Sequence, residues 1–145
     1  MHRFFYVIIS MLFATTAWSY PNYTNSWSHR SLLYFAPTFD KQVNEFQLQA
    51  LKYHCQLEAR DVITLILAAD GNSEPKWVKE QYNIAQLFVN YDVRPSQHTL
   101  ILIGKDGQEK LRFDHEVDWP LITQTIDGMP MRQEEMRQRR DHCSV

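Results

Sequence analysis

Apolar residues along this chain form short runs that alternate with segments of helical spacing. The first run, residues 31–36, is almost continuously apolar and indicates a strand buried on both faces. Asp40 then suits a helix N-cap, and apolar residues recur at helical spacing as far as residue 59. A second buried strand is predicted over residues 61–69, and a second helix begins after Pro75.

The second half of the domain predicts two more strands, over residues 98–104 and 109–114. The Asp106-Gly107 pair between them is typical of a type I′ hairpin turn. Asp118 suits the N-cap of a third helix. The predicted order is therefore β-α-β-α-β-β-α, an α/β fold with a central mixed sheet of about four strands flanked by helices.

The amino-terminal residues predict export. Residues 1–19 have a short basic head, an apolar run too short for a spanning helix of about 20 residues, and a small-x-small cleavage pattern at Ala17-Trp18-Ser19. We interpret them as a signal peptide, followed by an extended lead-in over residues 20–30, one domain over residues 31–140 and a tail over residues 141–145. No later segment is apolar enough to span a bilayer, so we expect a periplasmic or extracellular chain.

Composition narrows the classes of partner. The 145 residues carry a formal net charge of −2, with no basic stripe, which argues against nucleic acid. An aromatic content of 13% argues against disorder. Lys105 and Gly107 are too sparse a pattern for a phosphate-binding loop, and the turn accounts for them. We therefore expect no cofactor and an unidentified protein or envelope component as the partner.

Two cysteines, Cys55 and Cys143, remain after the predicted cleavage. Cys55 falls inside the first helix, and three alternatives stay open for it: a buried structural thiol, a disulfide to Cys143, and a reactive thiol. Each cysteine follows a histidine, His54 or His142. Adjacent helical side chains point about 100° apart, so this spacing argues against a zinc site.

Two segments of the last third of the chain, residues 100–113 and 126–136, resemble the signature of the domain-of-unknown-function 4174 family. Its members are small secreted bacterial proteins, and related domains repeat in vertebrate matrix proteins such as coiled-coil domain-containing protein 80. The residues that carry the resemblance are Gly104, Lys105, Asp106, Gly107, Lys110, Ile126, Asp127, Met129, Pro130, Met131, Arg132, Glu135 and Met136.

The resemblance implies a divergent thioredoxin- or peroxiredoxin-like fold, and the order of predicted elements is the same. In such enzymes a reactive cysteine follows the first core strand, at the start of the next helix, where the helix dipole stabilises a thiolate. Residues 36–45 contain no cysteine, and Gln97-His98 stands where such enzymes place a cis-proline. We therefore expect a non-catalytic module that binds a partner; the alternative is a divergent redox enzyme using Cys55, alone or with Cys143.

The signature segment after Gly128 has two interpretations. In the first it is a structural clamp: Met131 and Met136 fill gaps against the core, while Arg132 and Glu135 form a helical ion pair. In the second it is a partner-binding surface with adaptable methionine contacts. Under the first interpretation, we expect loss of the Met131 side chain to be costly if it is buried, and loss of the Arg132 side chain to cost little if it is exposed.

Overall fold

The computed structural model describes residues 27–140 and Cys143, so the predicted signal peptide lies outside the described residues. Five strands and six helices follow one another along these described residues. They are β1 (Arg30–Ala36), α1 (Lys41–Lys52), α2 (His54–Ala59), β2 (Val62–Ala68), β3 (Ser73–Glu74), α3 (Trp77–Gln81), α4 (Ile84–Asn90), β4 (Thr99–Ile103), β5 (Glu109–Phe113), α5 (Trp119–Asp127) and α6 (Pro130–Gln138).

The strands form one mixed sheet in the order β3-β2-β1-β4-β5. β1 and β2 are parallel, while β4 runs antiparallel to β1, and β5 antiparallel to β4. This order and these directions are those of a thioredoxin-like fold, which confirms the predicted class. The strand count was wrong by one, because two residues after a turn, Ser73 and Glu74, pair with the end of β2.

Helices cover both faces of the sheet, and β1 is buried on each of them. Leu32 and Tyr34 face α1, α2 and α5, whereas Leu33 and Phe35 face α3 and α4. All seven residues of β1 are buried, which explains why its sequence is almost continuously apolar. The two exceptions are Ser31 and Arg30, and the structure places Arg30, which the sequence assigns to the lead-in, at the buried start of the strand.

The predicted helix starts are confirmed where a carboxylate caps them. Asp40 accepts a hydrogen bond from the Val43 N–H at 3.0 Å, and Asp118 accepts one from the Leu121 N–H at 2.9 Å. The first predicted helix is nevertheless two helices, because the backbone turns at Tyr53 between α1 and α2. The ring of Tyr53 stacks on Trp119 with centroids 5.0 Å apart, so the turn places this ring against α5.

The hairpin between β4 and β5 is not the predicted type I′ turn. That turn needs positive φ at both central residues, and here only Gly107, at 76°, has it. The Gly107 N–H donates to the Gly104 carbonyl, and the Gly104 N–H donates to the Gln108 carbonyl. The turn is therefore a three-residue loop with glycine in the left-handed position, and the strand register shifts beyond Leu102.

Candidate functional site

The loop after β1 is the place where a thioredoxin-like enzyme would carry its reactive thiol. In this chain the helix that follows begins under the carboxylate of Asp40, which accepts the Val43 N–H. The other carboxylate oxygen lies 2.9 Å from Nε2 of His98, the residue immediately before β4. An aspartate–histidine pair therefore occupies the position where a cysteine and a cis-proline were sought.

The electrostatics of this pair favour a fixed carboxylate. Burial opposes ionisation of Asp40, but the Val43 N–H and the His98 ring outweigh it and hold the pKa of Asp40 below its usual range. Beside it, burial and the Asp40 and Glu45 charges raise the pKa of Tyr34 to about 12. The nearby hydroxyl of Thr38 donates to Asp70 at 3.0 Å. Among the described residues, no thiol or activated hydroxyl contacts His98.

The two cysteines are joined to each other. Cys55 and Cys143 form a disulfide with their Cα atoms 5.7 Å apart and 88 residues of separation along the chain. Cys55 is exposed on α2, so of the three alternatives the structure contains the disulfide and not a buried thiol. The bridge lines a surface cavity of about 610 Å³ together with Arg132, Arg139 and Arg140.

The two signature segments meet at the end of the sheet where β1 and β2 begin. Lys105 follows β4, which runs antiparallel to β1, and its Nζ lies 2.6 Å from Oε1 of Glu135 on α6. The same Nζ lies 2.8 Å from Asp61, which precedes β2. Residues about 30 positions apart in the sequence are thus brought together by an antiparallel strand and the last helix.

Glu135 and Asp61 are the centres of a partly buried ion-pair network. Glu135 accepts from both terminal nitrogens of Arg30, at 3.1 and 3.3 Å. Arg139 approaches Asp61 at 2.7 Å and Glu135 at 3.9 Å. Arg30 is only 1% exposed, and its Nε has no hydrogen-bond partner among the described residues. The sequence did not predict this role for Arg30, although an arginine within an apolar strand run was its available signal.

Asp127 extends the network to the opposite side of α6. It accepts from Arg60 at 2.9 and 2.8 Å and from Nε of Arg132 at 3.2 Å. Arg132 also donates to the Ala59 carbonyl at 2.8 Å. Two arginines and a carboxylate thereby fasten α6 and the end of α5 onto the turn that leads into β2.

The carboxylates of the network are held ionised. Hydrogen bonding from Arg139, opposed by partial burial and aided by Lys105, lowers the pKa of Asp61 from 3.8 to about 2. Burial alone would raise the pKa values of Glu135 and Asp127, but Lys105 and Arg30 lower the first and Arg60 and Arg132 lower the second. The network is therefore a set of paired charges at neutral pH.

Above this network lies an apolar-walled cavity of about 440 Å³. Arg30 contributes to its lining, and every other lining residue belongs to the signature. Three of its four charged side chains are cations. The lining residues are Arg30, Gly104, Lys105, Asp106, Lys110, Met129, Pro130 and Met131. We call this the signature cavity.

Some signature residues act as a structural clamp, and others line a surface cavity that a partner could contact. Lys105, Asp127, Arg132 and Glu135 form the clamp, as pairs of charges and not as packed methionines. The expected packing of Met136 against the core was wrong, because its side chain is 38% exposed, whereas Arg132 is 3% exposed and does not meet the condition for a small effect. Met131 is half-buried and lines the cavity. Ile126 lies in the core, and Gly107 lies at the hairpin tip.

Other kinds of site are not supported by the part of the chain that the structure describes. Within it, no three histidine, cysteine, aspartate or glutamate side chains come together as metal ligands. None of the helices there is long and apolar enough to cross a membrane.

Comparison with known proteins gives one family and one similar structure. A crystal structure of the exposed lipoprotein thioredoxin Etrx1 of Streptococcus pneumoniae is 17% identical, with a TM-score of 0.44, over 74% of this chain and 90% of that one. No curated protein matches the chain. The family model described as "Domain of unknown function (DUF4174)" matches residues 23–135. Because this match runs from before β1 into α6 and includes all the residues of the signature cavity, the chain belongs to the DUF4174 family.

Proposed function

We propose that this chain is a non-catalytic thioredoxin-like module that binds a partner protein in the cell envelope or the extracellular space. The observation that carries the proposal is Asp40 at the start of α1. Its carboxylate accepts the helix N–H group that would otherwise stabilise a thiolate, and it holds His98 on its other side. The position most suited to thiol chemistry in this fold thus holds an ionised, fully occupied carboxylate.

With thiol chemistry disfavoured at the start of α1, the signature cavity supports partner binding as the function. Its walls include Met129 and Met131, whose flexible side chains adapt to irregular partners. Its lining cations are each paired with a carboxylate: Arg30 and Lys105 with Glu135, and Lys110 with Asp106 at 2.6 Å. A partner surface with mainly apolar groups would therefore complement this cavity.

The catalytic part of the proposal is tested by redox assays on the purified chain. We expect no reduction of insulin and no consumption of peroxide above background, with a thioredoxin as positive control. The Cys55→Ser and Cys143→Ser variants should give the same background. Turnover that disappears in Cys55→Ser would contradict the proposal.

The binding part is tested by affinity capture from the envelope fraction of the native host. We expect a captured protein to be lost with Met131→Asp and retained with Val89→Asp, a matched change at an exposed site on α4. Equal capture by both variants would remove the signature cavity from the proposal.

Export is part of the same proposal and has its own test. The basic head, the short apolar run and the Ala17-Trp18-Ser19 pattern support cleavage before Tyr20. Mass spectrometry of the protein from its host should find Tyr20 or a close neighbour as the first residue. A full-length chain in the cytoplasm would contradict export.

A second candidate, thiol redox chemistry at the disulfide, is favoured by one observation. Cys55 is exposed, and the cavity that it lines is also lined by Arg132, Arg139 and Arg140, cationic residues of the kind that favour a thiolate. Under this function the bridge should be reduced by thioredoxin in the folded chain and reformed by a substrate disulfide. A bridge that resists thioredoxin until the chain unfolds would favour the binding module.

A further inference from the structure

The outer edge of β2 is only partly covered. β3 pairs with β2 at Ile66 and Leu67, and no strand among the described residues pairs with the edge from Val62 to Leu65. An uncovered edge strand presents backbone donors and acceptors ready to pair with another strand. This edge lies on the far side of β2 from the strands that lead to the signature cavity.

The backbone groups that point outward can be identified. The Ala68 N–H donates to the Asn72 carbonyl on the β3 side, whereas the Ala69 N–H donates to the Ala36 carbonyl on the β1 side. Successive residues of a strand direct their backbone groups to opposite sides. Val62 and Thr64 therefore each direct one N–H and one carbonyl outward from the sheet, and none of these groups has a hydrogen-bond partner among the described residues.

A mainly apolar groove lies beside this edge on each face of the sheet. On one face the groove has a volume of about 780 Å³ and is lined by Leu48 and Leu51, which are 62% and 68% exposed on α1. On the other face it has a volume of about 430 Å³ and is lined by Trp77 and Tyr82. Of the residues that the structure describes, Glu74 is the one carboxylate that lines either groove, and no lysine or arginine lines them. An apolar strand with apolar flanks therefore fits this edge on both sides.

We propose that this edge pairs antiparallel with the same edge of a second copy of the chain. Centred on Ile63, the pairing places Val62 of each copy opposite Thr64 of the other and satisfies all four free groups of each copy. Centred on Thr64, it would place Val62 opposite Ile66, an edge that β3 already occupies. Centred on Val62, it would place Thr64 opposite Arg60, which precedes the strand. One antiparallel register therefore fits the free edge.

The second copy also accounts for the exposed apolar side chains beside the edge. A two-fold axis through Ile63, perpendicular to the sheet, brings α1 of the two copies together on one face and α3 on the other. Leu48 and Leu51 then face their own counterparts, as do Trp77 and Tyr82, which is the self-complementary contact that an isologous dimer requires. The result is a continuous sheet of ten strands, two of the five-stranded sheets joined edge to edge. This inference does not depend on the proposed function.

Disulfide cross-linking tests the register. Directly opposed residues of a non-hydrogen-bonded pair have Cα atoms about 4.5 Å apart, within the range of a disulfide. Ile63→Cys should therefore cross-link two copies under mild oxidation. Leu65→Cys, on the same face, should not, because its counterpart lies about 13 Å away along the strands. Absence of cross-linking in Ile63→Cys, or equal cross-linking in both variants, would overturn the register.

Light scattering after size-exclusion chromatography tests whether a second copy of the chain covers the β2 edge. The purified chain should have twice the mass of one copy, and Leu51→Lys and Thr64→Pro should shift it to the monomer. Val89→Lys, at an equally exposed apolar residue away from the edge, should remain dimeric. Circular dichroism identifies any variant that has lost its fold, and Leu51→Lys, on the surface, keeps the test valid if Thr64→Pro unfolds. A monomer at all concentrations, with or without binding of a peptide strand, would overturn the proposal.

Discussion

At the scale of single residues, the buried charges of α6 matter more than its methionines. Arg132 is almost completely buried, and its guanidinium is satisfied by Asp127 and by the Ala59 carbonyl. Removing Arg132 would leave Asp127 paired with Arg60, but the Ala59 carbonyl would lose its donor, which costs more than losing an exposed contact.

We predict that Arg132→Ala lowers the free energy of unfolding by about 1–3 kcal/mol, the cost of leaving a buried hydrogen-bonding group without its partner. Met136→Ala is the matched control on the same helix and should cost less than about 1 kcal/mol, because its side chain is already partly in water. Urea melts of the two variants decide this. Equal midpoints would mean that the ion pairs do not hold α6 to the domain.

Gly107 provides a second prediction at this scale. Its φ of 76° is strained for any residue with a side chain, and most of all for a β-branched one. Gly107→Val should cost about 1–3 kcal/mol. Gly128→Ala is the matched control, since its φ is −78° and an added Cβ would lie 3.6 Å from the nearest atom, so it should change stability little. A neutral Gly107→Val would mean that the turn rearranges freely.

At the scale of elements, the sequence predicted the strands and helix starts that depend only on neighbouring residues. The apolar run of β1 and the capping carboxylates of Asp40 and Asp118 needed only neighbouring residues, and their predictions are confirmed. The turn at Tyr53 was missed because it is stabilised by a ring contact with Trp119, distant in the sequence. β3 was missed because two residues carry no periodicity.

The candidate site shows the same limit. Its signature residues could be named from the sequence, but their convergence depends on an antiparallel β4 that returns Lys105 to the start of β1. Arg30 and Arg132 were missed as buried groups because arginine is usually exposed, and only the fold supplies Glu135 and Asp127 as their partners.

The disulfide ties the chain beyond α6 to α2, and its removal gives an element-scale prediction. Closing a loop of 88 residues stabilises by about 4–5 kcal/mol in the chain-entropy model. Cys55→Ser and Cys143→Ser should lower the stability equally, and the double variant should lose no more than either single one. Additive losses in guanidinium melts would show that the cysteines act separately.

At the scale of the whole molecule, three ion-paired carboxylates lie together at one end of the sheet. Asp61, Asp127 and Glu135 join the starts of β1 and β2 to the last two helices, and all three have lowered pKa values. A carboxyl whose folded pKa lies below its unfolded one contributes stability above the unfolded value and loses it as the pH falls through the folded value.

We therefore predict acid-sensitive stability. For Asp61 the loss should fall between pH 3.8 and about pH 2, and amount to about 1–2 kcal/mol after allowing for the solvent that reaches Arg139. Asp61→Asn should flatten the curve of unfolding free energy against pH, whereas Glu74→Gln, at a carboxylate with no ion pair among the described residues, should leave it unchanged. A wild-type curve that is flat over this range would contradict the role of the network.

The stacked rings around Trp119 give the folded chain an optical reporter. Its indole lies between Phe46 and Tyr53, with centroids 5.7 and 5.0 Å away, and its Nε1 donates to Gln49. Such an indole emits at shorter wavelength than Trp27 and Trp77, which are about half exposed and line the groove beside β2. Emission at short wavelength therefore reports loss of the core, while acrylamide quenching at long wavelength reports whether the β2 edge is covered.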